Sequence, residues 1–166
     1  MPDWHANWAW SVPLIMVNVV IHVLGLGLIN ERVFQLLRGP ISQRHFTVVF
    51  SVVMGVVALL GSVLHGIEAM VWAAAYRLLG ALPDIHSAVL YSVSAITTYG
   101  NASVALPRNW QIMGALEALN GMLLFGLSTA FMYAMIQQVW PLGSRTHRNH
   151  SGVVARELQG APAEIA

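Results

Sequence analysis

Thr97-Thr98-Tyr99-Gly100-Asn101-Ala102-Ser103 lies between two apolar stretches. Its hydroxyls, its amide and the carbonyls around a glycine are oxygen donors of the kind that replace the hydration shell of a monovalent cation. Two other groups carry polar chemistry at helical spacing. Glu117 and Asn120 are three residues apart and are followed by Gly121, and His65 and Glu68 are also three apart. Each pair therefore shares one helix face. Ionisable side chains inside a bilayer are costly, so they mark functional or internally paired positions. Glu117 is expected to brace the oxygen-rich run from behind. Asn120, Ser128 and Thr129 are expected to wet a cavity below it or to tie helices together. His65 and Glu68 read as a structural hydrogen bond, with a metal site or a proton sensor as alternatives. Two residues do not complete a metal shell, and nothing in the spacing places His22 beside them. No cofactor is expected, and no metal beyond a permeant cation.

Composition states what must hold these residues. The chain has 166 residues, 57% hydrophobic and 9% charged, against about 25% charged in soluble domains. It reads as an integral membrane protein. There is no cysteine, which excludes disulfides and thiolate chemistry. The net charge of +1 gives no basis for nucleic-acid binding, and no protein partner other than further copies of the chain is evident. The start, MPDWHANWAW, lacks a basic region, so a cleaved signal peptide is not expected. No zinc-protease, nucleophile-elbow or phosphate-loop motif occurs, so no enzyme activity is expected.

Three apolar segments exceed the roughly 20 residues a bilayer requires: about Ser11 to Leu37, Phe46 to Leu79 and Trp110 to Val139. The piece from Ile85 to Ile96 would be roughly 18 Å long as a helix, too short to span. It suits a re-entrant half-helix capped by Asp84. Bare backbone at membrane depth is tolerated only in protein or beside water, so a polar lumen is expected next to Thr97–Ser103. Arg38 and Arg44, with Arg145, Arg148 and Arg156, place the first linker and the C-terminal tail on the cytoplasmic side. The N-terminus then lies outside. Trp4, Trp8, Trp10, Trp72, Tyr76 and Trp110 read as an outer interfacial belt, with Trp140 at the inner face. The chain divides into an extra transmembrane helix (1–40), a pore module (41–140) and a short cytoplasmic tail (141–166) expected to be disordered.

From His65 to Met135 the text resembles bacterial potassium-channel-like proteins of the two-helix pore type. The matching phrases are HGIEAMVWAAAY, AVLYSVSAITT, VALPRNW and LEALNGMLLFGLSTAFMYAM. The resemblance covers a little under half the chain. It implies an all-α tetrameric cation-channel fold in the bacterial inner membrane, with three spans, a pore helix and a selectivity filter. The filter positions would be Thr98, Tyr99, Gly100, Asn101 and Ala102, with Ser103 at the mouth and Gly121 in the place of a gating hinge. The family reads TTVGYGD or TTLGYGD there. Ala102 replaces a glycine whose backbone conformation disfavours a Cβ, and Ser103 replaces a mouth carboxylate. A potassium-permeable, weakly selective homotetrameric channel is expected; the alternative is a non-conducting scaffold or sensor that kept the fold.

Overall fold

The computed structural model describes residues 4–37, 46–100 and 103–159, with side chains described as far as Gln138. The elements are α1 (Trp4–Leu37), α2 (Phe46–Leu78), α3 (Ile85–Ile96), a short 3-10 turn (Arg108–Trp110) and α4 (Gln111–Gln159). The described residues are all-helical. Three stretches are long and apolar enough to cross a membrane: Trp4–Leu36, Thr47–Leu78 and Arg108–Gln138, with mean hydropathies of 2.4, 2.5 and 1.5 over an 18-residue window in each. Valine-rich α2 would be a mediocre helix in water. In lipid, a backbone that must bond within its own segment makes the helix obligatory. Helical backbone continues through 141–159, where composition reads as disordered; the linker arginines and Trp140 fall outside what is described.

The link from α2 to α3 is built from capping chemistry. Gly80 takes φ +67°, Ala81 N donates to Tyr76 O at 2.9 Å and Gly80 N donates to Arg77 O at 3.2 Å. That is the Schellman termination, for which glycine is the natural residue. The Arg77 guanidinium donates to the Leu82 and Pro83 carbonyls, each at 3.0 Å, and holds the turn closed. Asp84, in extended backbone, then caps α3 by accepting from Ser87 N at 2.8 Å, as the sequence predicts.

The main core joins the C-terminal part of α2, α3 and the start of α4. Trp72, Ala73, Tyr76, Ala88 and Met113 are fully buried there. Alanines on facing helices let the backbones approach. Two belt assignments are corrected here. Trp72 and Tyr76 are buried under α3, because the 12-residue helix covers that end of α2. Trp4, Trp8 and Trp10 remain exposed. The added helix α1 packs against both α2 and α4.

Candidate functional site

α3 runs beside α4. Near its middle, Tyr91 reaches Gly114, and at its end the Ile96 backbone lies against Gly121. Leu106 lies at the level of Gly114, back toward the start of α4 from Gly121. A Cβ at position 121 would collide with the Ile96 carbonyl and stand 2.8 Å from its Cα. Close approach thus calls for glycine at 121 whether or not it serves as a hinge. At the end of α3, Thr97 N donates to Val93 O at 3.1 Å and Thr98 N to Ala95 O at 2.9 Å. Thr98 takes φ +55° and Gly100 φ +72°. Left-handed backbone is cheap for glycine and costs energy for β-branched threonine. Gly100 N donates back to Ser94 O at 3.2 Å. Tyr99 is 85% exposed, and Ser103 is exposed as well. Asn101 and Ala102 lie outside the described residues. Under the turn is a cavity of about 540 Å³ lined by Ser62, His65, Thr97, Thr98, Gly121 and Phe125 among others.

Behind α3, Glu117 is fully buried. The Tyr76 hydroxyl donates to its Oε2 at 2.8 Å, and the Tyr76 ring meets Tyr91 edge-on with centroids 5.4 Å apart. One carboxylate thereby links α2, α3 and α4. Ser92 of α3 faces the same carboxylate, while both polar atoms of Asn120 make no hydrogen bond within the described residues. Thr129 is exposed and bonds its own helix, at 2.9 Å to Phe125 O.

A second polar site joins α1, α2 and α4. Glu68 holds two histidines, with His22 Nδ1 at 2.7 Å from Oε1 and His65 Nδ1 at 3.1 Å from Oε2. Both Nε2 atoms meet the Ser128 hydroxyl, at 3.1 Å and 3.2 Å. The four side chains close a ring. His22 and Glu68 are wholly buried, while the His65 side chain is 21% exposed and lines the cavity below Thr98. Ser128 is thus bound into this ring rather than counted among the cavity residues. His22 does join His65 and Glu68, which their spacing alone left undecided.

Sequence reasoning missed the stripe that brings His22 there. Asn7, Ser11, Asn18 and His22 are all buried and fall within about 60° of one another at 3.6 residues per turn. Asn7 accepts from Met113 N at 2.9 Å and donates to Asn109 O at 2.7 Å, so α1 satisfies the start of α4. Asn18 donates to Glu68 O at 3.4 Å. The signal was a polar face at helical spacing in an otherwise apolar helix.

The chain matches no family model, no curated protein and no solved structure. The resemblance to two-helix pores therefore rests on the quoted residues alone.

Proposed function

We propose that the chain is one subunit of a homotetrameric pore for monovalent cations, permeable to potassium and weakly selective. The observation that carries this reading is the end of α3 against Gly121, followed by left-handed Thr98 and Gly100 above a largely apolar cavity into which Ser62, His65 and the two threonines bring polar groups. A helix C-terminus is negative and favours a cation. Residues 97–103 then offer hydroxyl and carbonyl oxygens, and several copies around an axis would complete their coordination. One such loop per chain calls for a ring, with four the natural number. Glu117 braces α3 in this reading, through Tyr76. Weak selectivity follows from Ala102 and Ser103, since discrimination requires several well-formed oxygen rings in series. The membrane would be the bacterial inner one, with the N-terminus outside.

The test is flux from liposomes holding the purified chain, together with its mass in mild detergent. Potassium and sodium should both pass, from a species of four chains. The triple change Asn101→Tyr, Ala102→Gly, Ser103→Asp should raise the potassium-to-sodium ratio. A stable monomer or dimer would overturn the ring. An intact tetramer without flux would favour a non-conducting sensor, a reading that the self-contained His22–His65–Glu68–Ser128 ring also supports.

A further inference from the structure

We propose that His22, His65 and Glu68 form a binding site for a zinc-type divalent ion, entered from the cavity beneath Thr98. The three offer two imidazole nitrogens and a carboxylate oxygen, all within 4.8 Å of one another. A zinc-type ion stands about 2.0–2.2 Å from such ligands, which sets neighbouring ligand atoms roughly 3.3 Å apart in a tetrahedron. Glu68 already lies at 2.7 Å and 3.1 Å from the two Nδ1 atoms, so small side-chain shifts suffice. Three protein ligands leave one open position. His65 is the ligand exposed to the cavity, so that position is reached from there. The donor set selects zinc, cobalt or nickel over magnesium, calcium and potassium, which prefer all-oxygen shells.

The tautomers are prepared by Ser128. Metal-binding histidines donate their second ring N–H to a fixed acceptor. Here both Nε2 atoms face the same hydroxyl at 3.1 Å and 3.2 Å, and a hydroxyl oxygen has two lone pairs to accept both. Each Nδ1 is then free to present its lone pair beside Glu68. Because His22 comes from α1 and the other two ligands from α2, the ion also ties the added helix to the rest of the chain.

The site is independent of whether the chain conducts, so its test reads binding. The full chain, stripped with a chelator and held in lipid nanodiscs, is titrated calorimetrically with Zn²⁺ and spectroscopically with Co²⁺. The expected result is one ion per chain, a tetrahedral cobalt spectrum, and no competition from millimolar-scale Mg²⁺ (roughly a thousandfold excess over typical transition-metal affinities). His22→Ala and Glu68→Gln should abolish binding. Ser128→Ala, which leaves the three ligands in place, should weaken it about 10-fold or more. Replacement of exposed His86 should change nothing. An absence of saturable binding to the wild-type chain overturns the site. So does binding that survives in folded His22→Ala protein.

Discussion

The ring around Glu68, through His65, and the turn after α3 each form a wall of one cavity, yet they differ in completeness. Every polar side-chain atom of the ring's histidines and carboxylate has a partner within the same chain, three of the four contacts between helices and His65–Glu68 within α2. The turn has backbone bonds to α3, but Tyr99 stays exposed. Beside it, the Asn120 amide bonds to nothing among the described residues. Buried polar groups in folded proteins are nearly always paired. One chain therefore suffices to build the ring, whereas the turn and Asn120 leave polar groups without such closure. The difference separates what holds the three long helices together from what the proposed pore would use.

Removing Glu68 gives the strongest contrast. Glu68→Ala strips both histidines of their buried partner at once. Breaking a buried ionic network costs about 3–5 kcal/mol. Denaturant or SDS unfolding in detergent should register a loss of that order. The α1–α2 contact should loosen first, as seen by crosslinks between cysteines placed on the two helices. A variant as stable as wild type would show that the ring adds nothing to helix association.

At the other wall, a methyl group tests the close packing under the turn. Gly121→Ala drives a Cβ into the Ile96 backbone, whereas Gly126→Ala, five residues along, meets no atom within 4 Å. Overpacking at a site with no room costs about 1–3 kcal/mol, while alanine in an open helical position gains by its propensity. Position 121 should thus lose stability and any cation flux, and position 126 should hold both. Equal tolerance at both positions would mean that α3 is free to move off α4, and would favour the hinge reading of Gly121.

These two positions also mark how far the sequence could be read. The bounds of α3 were legible in full, because Pro83-Asp84 starts a helix and the polar run ends it. The three long helices were legible from length and apolarity alone, although α1 begins at Trp4 rather than near Ser11. Which face an aromatic presents was not legible. Trp72 and Tyr76 have the residue type of an interfacial belt, and only the position of α3 shows that they are covered. The ring was half legible. His65 and Glu68 declare themselves by spacing, but His22 is 46 residues from Glu68, and that pairing depends on how α1 is rotated. The stripe Asn7, Ser11, Asn18, His22 states that rotation, in residues that each look isolated when read singly. The reason for glycine at 121 required the neighbouring helix.

The smallest expected effect lies at the start of α3, and it asks whether the two walls unfold together. Asp84 accepts from Ser87 N at 2.8 Å and from the Ser87 hydroxyl at 2.7 Å. The backbone N–H of Ser87 is the main cause that holds the Asp84 carboxyl below its ordinary value. A carboxylate whose folded pKa is lowered contributes stability above the ordinary carboxylate range and loses it as pH falls through the lowered value. Amide protection in the first turn of α3, taken relative to the intrinsic exchange rate at each pH, should therefore fall in acid, while that of the core around Trp72 and Met113 holds. Asp84→Asn should cap the helix comparably and flatten the acid response, since an amide does not titrate. Asp84→Ala should leave the turn open at every pH. If α3 frays in that variant while the α1–α2 crosslinks stay intact, the walls are separate cooperative units of the kind hydrogen exchange resolves. If the ring loosens with it, the contact of α3 with α2 carries strain across the cavity, and the contrast between a complete wall and an incomplete one becomes a coupling between them.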